Sequence, residues 1–318
     1  MLYIMPIYPI SFSIHESKII DELSLKTQLL SITQAQSGLC HTPGYTDEKV
    51  YYNNYANSYF GKTCKKAGWD CMRHYEILAN GCIPYFVNID SCPKNTLTYF
   101  PKEIIKEGIE AYNNQKDNET CIVIANKLLN YTKDYLTTRY AAKRLLSFFN
   151  KKIETVLILT NSGREDYLYN TILIGLKELI GEKCIDYPQV QHIYKSFGSG
   201  YKPHMHCRGF TITGLLPDEY NIMCNRENIE ERITNREFDL VINAYDCVES
   251  NEITENIMNI VNKYYKPEEV VYLCGKDCDL IYSDPNPLKT TFYDKHDCPF
   301  KKLSNNGYNI FIRELGDE

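Results

Sequence analysis

Lys65-Lys-Ala-Gly-Trp-Asp-Cys-Met-Arg-His-Tyr-Glu-Ile-Leu-Ala-Asn-Gly-Cys-Ile-Pro84 reads as a turn, a helix and the start of a strand in succession. Gly68-Trp-Asp70 supplies the turn, and Asp70 a carboxylate able to cap a helix. Met72, Tyr75, Leu78 and Ala79 then fall near helical spacing, which predicts a helix over about 71–80, stopped by Gly81. Asn57-Ser-Tyr-Phe-Gly-Lys62 predicts a strand before it, and Cys82-Ile-Pro-Tyr-Phe-Val87 one after. Strand, turn, helix and strand within 57–87 is the footprint of a parallel crossover unit.

That geometry carries a chemistry. In a parallel unit the helix N-terminus projects toward the carboxyl ends of the strands, where free amides and the helix dipole favour an anion. A diphosphate fits at Gly68–Cys71. Arg73, in the first turn, can fork onto phosphate oxygens, and Glu76, three residues on, shares its face one turn deeper. A carboxylate there can accept the hydroxyls of a ribose or hexose, so the pair matches the two ends of a nucleotide-sugar. Taken alone, the same pair is equally an exposed ion pair worth about 0.2–0.5 kcal/mol on an ordinary surface helix.

Arg-x-x-Glu-x-x-x-x-Gly-Cys-x-Pro over Arg73–Pro84, behind an aromatic-rich strand and a glycine turn, resembles the exostosin-like glycosyltransferases. More loosely it is similar to the donor-binding half of GT-B-fold glycosyltransferases. The resemblance covers about residues 50–105 and implies that Arg73 binds the donor diphosphate and Glu76 the ribose or donor sugar. Gly81 and Pro84 are structural in that pattern. Lys65 and Lys66 are further phosphate ligands by charge and place alone. In that family the signature lies in the carboxyl-terminal half; here it begins near residue 60, so the domain order is exchanged or a donor-binding half has been joined to a different domain.

Outward from this stretch, 103–113, 121–130 and 134–149 read as helices, and the polar run Asn150-Lys-Lys152 as a boundary between domains 1–150 and 151–318. Thr155-Val-Leu-Ile-Leu-Thr160 then restarts the alternation as a strand buried on both faces, followed by Leu168, Ile172, Leu176 and Leu179 on one helical face. Further strands are expected at 184–187, 209–213, 238–244 and 270–274, further helices at 227–234 and 252–264, and an edge strand at 308–312. The expected fold class is α/β, two Rossmann-like parallel-sheet units facing a cleft in a GT-B-like arrangement. Residues 1–10 read as a buried first strand with no basic leader region, and the stretch to about 45 as an irregular lead-in.

Composition narrows the function. The chain has 318 residues, 43% of them hydrophobic, enough for a packed core, and a formal charge of −6 that gathers neither nucleic acid nor anionic lipid. No window is apolar enough for a membrane span, and 13 scattered cysteines suit reduced thiols in a cytoplasmic setting. The abundance of Tyr, Ile, Asn and Lys matches the codon bias of an AT-rich genome. The expected partners are a nucleotide-diphosphate sugar and a glycan, protein or lipid acceptor; no cofactor or metal is required, because a helix dipole and basic side chains can relieve the charge of a departing diphosphate. A general base would come from Asp166, His192 or Asp246, with His74 and Asp186 as further candidates. Cys274, Cys278, His296 and Cys298 form a conceivable zinc set, but Cys274 falls inside an expected strand and points to the core. Asp277-Cys-Asp279 is the kind of acidic triplet that arises by chance in a chain of this length. The alternatives to an enzyme are a non-catalytic nucleotide- or carbohydrate-binding module and a structural partner protein.

Overall fold

The computed structural model describes residues 7–30, 47–160, 166–197, 205, 209–244, 252–277 and 303–316. It is an α/β structure with two parallel sheets. The smaller has three strands in the order β2 (Gln28–Leu30), β3 (Ser58–Thr63), β4 (Ile83–Phe86). Between β3 and β4 lies α2 (Met72–Ala79), so the crossover unit expected at 57–87 is present. Gly81, at φ +62°, ends the helix in the left-handed region open to glycine. The turn preceding α2 differs from expectation: Cys71 is the N-cap and makes no side-chain cap bond, while Asp70 accepts from the Phe12 amide instead. The sequence reading also missed α1 (Glu48–Ala56), which Asp47 caps.

The larger sheet has six strands, all parallel, in the order β1 (Ile7–Pro9), β9 (Asn309–Ile312), β8 (Val270–Cys274), β7 (Leu240–Ala244), β5 (Val156–Leu159), β6 (Cys184–Tyr187). Every residue of β5 and β8 is buried, as continuous apolar runs in a covered parallel sheet require. Strand β9, expected at an edge, is interior, because β1 pairs along its outer side. The edge falls to β1 for a physical reason: Pro9 has no amide to donate and is tolerated only where no further strand is needed. Residues 209–213 form a turn, with Gly209 at φ +66° and the Thr213 amide returning to its carbonyl.

The helices α3 (Lys102–Asn113), α4 (Asn118–Tyr135), α5 (Thr138–Ser147), α6 (Tyr167–Ile180), α7 (Glu219–Ile222), α8 (Ile229–Thr234) and α9 (Glu252–Tyr264) complete the described elements. The break between α4 and α5 comes later than expected, because the Thr137 hydroxyl accepts from the Tyr140 amide and caps α5. Residues 10–15 are not a loose lead-in but a buried thread. The Ile14 amide donates to the Leu136 carbonyl, and the Thr138 amide donates to Ile14. One hydrophobic core joins the sheets, from Phe60, Tyr75 and Ile83 to Leu173, Leu240 and Phe311.

Gly175 lets α6 close onto α5: a Cβ there would lie 2.0 Å from the Thr138 carbonyl oxygen and 2.9 Å from the Ala142 Cβ. Alanine would gain about 1 kcal/mol in helix propensity, but backbone cannot yield as a side chain can. Overpacking costs about 1–3 kcal/mol or more, so Gly175→Ala is expected to lower the urea midpoint. An unchanged or raised midpoint would refute this packing.

Candidate functional site

The carboxyl ends of both sheets converge on the loop before α2. Strand β3 leads into it directly, and from the larger sheet β8 and β9 deliver Gly275–Asp277 and Arg313–Glu314. A Cβ on Gly68 would lie 2.5 Å from an Asp277 oxygen and 2.6 Å from a Glu314 oxygen, so a larger residue would displace one of these carboxylates. Glu314 reaches the loop as a fork: its Oε2 accepts from the Trp69 amide at 3.0 Å and its Oε1 from the Asp70 amide at 2.8 Å. Two of the amides that the sequence assigns to a diphosphate, those of Trp69 and Asp70, are thus filled by a carboxylate of the chain itself. Gly68 and Asp70, expected as donor ligands, lie in this internally bonded loop.

Arg313 binds this cluster together. Its Nη1 donates to Glu314 at 2.7 Å and to the Asp70 carbonyl, its Nη2 donates to Asp277, and its Nε donates to the Gly275 carbonyl at 2.9 Å. Two carboxylates and two backbone carbonyls share one fully buried guanidinium. Burial pushes Asp70 up to about 6 against the pull of Arg313, and Glu314 up to about 7 for the same reason.

Those two groups bind protons more tightly folded than unfolded, so their contribution to stability falls as pH rises through about 4 to 7. Buried neutral His74 and His192, lowered to about 3 and about 4 by desolvation, act in the opposite sense below pH 6.5. The four largely offset in the whole chain, and a variant is needed to separate them. Glutamine mimics the protonated Glu314, so Glu314→Gln is expected to gain thermal stability relative to the parent as pH rises from about 5 to about 8. A difference that stays flat or shrinks over that range would contradict the assignment.

Helix α2 is buried on every side, including its charged residues. Arg73 is 7% exposed and Glu76 6% exposed, so the alternative of an exposed surface pair does not hold. Tyr51 donates to Glu76 Oε2 at 2.7 Å, and Tyr51, Tyr55 and Phe210 pack around the same helix with Ile77. Burial raises the Glu76 carboxyl, against the Tyr51 hydrogen bond and the Arg73 charge. Arg73 contrasts with Arg313. Among the described residues it makes no hydrogen bond or ion pair, and its Nη1 is fully enclosed without an acceptor. Desolvation opposes its charge, but Tyr51, Tyr55, Cys71 and Glu76 outweigh that and keep it protonated. An enclosed guanidinium with an unmet donor is an uncommon arrangement in a folded core.

Lys66 lies close enough to act electrostatically on Cys71 and Glu76, whereas the Lys65 ammonium turns back toward the Lys66 and Ala67 carbonyls. A concavity of about 780 Å³ opens along Lys18, Glu48, Lys49 and Tyr52; neither Arg73 nor Glu76 lines it. The tyrosines of α1 escaped the sequence reading. The signal was Tyr51 and Tyr55 at i,i+4 spacing, hidden by the chain's general wealth of tyrosine.

The base candidates scatter. His74 is a satisfied core histidine: its Nε2 donates to the Trp69 carbonyl at 2.9 Å, which leaves Nδ1 to accept from the Thr63 hydroxyl at 3.0 Å. Asp186 is fully engaged with Lys177 at 2.8 Å, Arg226 at 2.6 Å and the Val190 amide. His192 is half-buried and hydrogen-bonded to Asn170 at 2.9 Å. Asp166 caps α6 through the Leu168 amide and lies so close to Gly275 that a Cβ there would sit 2.2 Å from it. Among the described candidates, Asp166 and His74 are thus the ones brought to the loop cluster. Asp246 lies outside the described residues, as do Cys278, His296 and Cys298 of the zinc set; Cys274 is buried in β8 as expected.

Fold and site together define an α/β chain of two parallel sheets whose carboxyl ends meet at a helix carrying a buried arginine and glutamate. Comparison with family models, with curated proteins and with solved structures finds no match for this chain. Among the described residues, no helix is long and apolar enough to cross a membrane.

Proposed function

We propose that the chain is a glycosyltransferase of GT-B type that takes a sugar from a nucleotide-diphosphate donor. Arg73 receives the diphosphate, Lys66 adds charge to it, and Glu76 holds hydroxyls of the ribose or donor sugar. The observation that carries this reading is the buried Arg73 guanidinium with no acceptor of its own. A buried donor left without an acceptor costs about 1–3 kcal/mol, which the phosphate oxygens of a ligand would recover. As the glycosidic bond breaks, negative charge collects on the departing diphosphate, where a fixed guanidinium stabilises it most. Asp166, His192 and Asp246 are the groups to test as base toward an acceptor hydroxyl.

A second reading rests on Glu314: with the loop amides already filled by an internal carboxylate, the chain is a binding module that grips the donor without turning it over. One experiment separates the two. Incubation with a panel of nucleotide-sugars and a panel of glycan acceptors, reading release of nucleoside diphosphate as the sugar passes to an acceptor hydroxyl or to water, gives turnover for the enzyme and only a binding signal for the module. Neither turnover nor binding across the panel would remove both readings.

A further inference from the structure

A second, separate cavity lies on the far side of the buried thread, of about 270 Å³, between the edge strand β1, strand β9 and helix α5. Its walls are aromatic. Tyr8 and Phe148 meet edge to face at 4.4 Å, and Phe311 lies 5.3 Å from Phe148 and 5.4 Å from Tyr8. The serines at its rim are engaged: Ser11 accepts from the Thr98 amide at 3.0 Å, and Ser147 donates to the Arg144 carbonyl at 2.8 Å.

One charge lines it. The Arg144 guanidinium sits 3.4 Å above the Tyr99 ring and 5.0 Å from the Tyr140 ring. Among the described residues it has no hydrogen-bond acceptor and no carboxylate partner. Stacking on tyrosines satisfies the faces of a guanidinium and fixes its plane, but leaves the N–H donors on its edge unfilled. Burial pulls its pKa down, so the charge is held at a cost that an anion would relieve.

We infer that this cavity binds a small aromatic carboxylate, with the ring among Tyr8, Phe148 and Phe311 and the carboxylate on Arg144. The planar fork of arginine matches a carboxylate with two parallel hydrogen bonds. Apart from the Tyr8 and Tyr99 hydroxyls, the polar side chains of the walls are the two engaged serines and Arg144. The volume lies just under the roughly 300–1,000 Å³ common for small-molecule sites, which selects a compact ligand. This site does not depend on the reading of Arg73.

Phenylacetate and its neutral isostere phenylacetamide, titrated into the full chain and followed by ligand-observed NMR, test it. The acid is expected to bind at least tenfold tighter than the amide, and Arg144→Gln to remove that preference while leaving binding of nucleoside diphosphate unchanged. Arg144→Lys, which keeps the charge but not the fork, is expected to fall between. Equal binding of acid and amide, absence of binding by the acid, or full retention of the preference in Arg144→Gln would each overturn the inference. The acid-to-amide comparison needs no variant, so it stands even where a substitution fails to fold.

Discussion

Arg313→Met is expected to lower the stability of the chain by about 3–5 kcal/mol, the usual cost of removing one partner from a buried ionic cluster. Arg313 is buried with four acceptors, Glu314, Asp277 and the carbonyls of Asp70 and Gly275, and its guanidinium lies 4.5 Å from the Phe12 ring. Methionine restores most of the volume, so the loss would be electrostatic rather than a cavity. Without the cation, Glu314 and Asp277 face one another across Gly68 with nothing between them. The measurement is urea unfolding, and the companion is the double variant with Glu314→Gln, which should recover part of the loss because one of the stranded charges is gone. A loss below about 1 kcal/mol would mean that the cluster is solvated and does not tie the larger sheet to the α2 loop.

Arg73→Met should behave in the opposite way. A guanidinium enclosed without an acceptor leaves a hydrogen-bond donor unmet in the folded state, and an apolar side chain of similar length removes that loss. The variant is therefore expected to be at least as stable as the parent, while its affinity for a nucleoside diphosphate falls by about a hundredfold. That combination is the signature of a residue kept for binding at the expense of stability. Were Arg73 a structural residue, methionine would destabilise the chain. The two arginines differ in partners, not in burial, and the contrast between their variants tests that difference.

The crossover unit around α2 was legible because its signals are local. A glycine stop, apolar positions at helical spacing and two short apolar strands need no knowledge of the rest of the chain. The buried strand β5 was legible for the same reason. What escaped was long-range. Nothing near residue 8 announces that β1 will pair with β9 some 300 residues later, so β9 read as an edge. Likewise, Asp70 read as a helix cap because its distant partner, the Phe12 amide, was invisible. The candidate site shows both sides. Arg73 and Glu76 stood out by spacing, but whether they faced water or the interior depended on Tyr51, Tyr55 and Phe210, which come from other elements. Glu314 left no sequence signal as a ligand of the α2 loop, because a lone acid near the chain's end matches no pattern; only the packing of β9 against that loop brings it there.

The central claim is that α2 holds a buried cation for an external anion. Calorimetric titration of a nucleoside diphosphate into the chain, side by side with Arg73→Met, tests it most directly. The account predicts saturable binding in the micromolar to millimolar range by the parent and binding about a hundredfold weaker by the variant under conditions where both are folded. Equal binding by the two, or no binding by the parent, would contradict it.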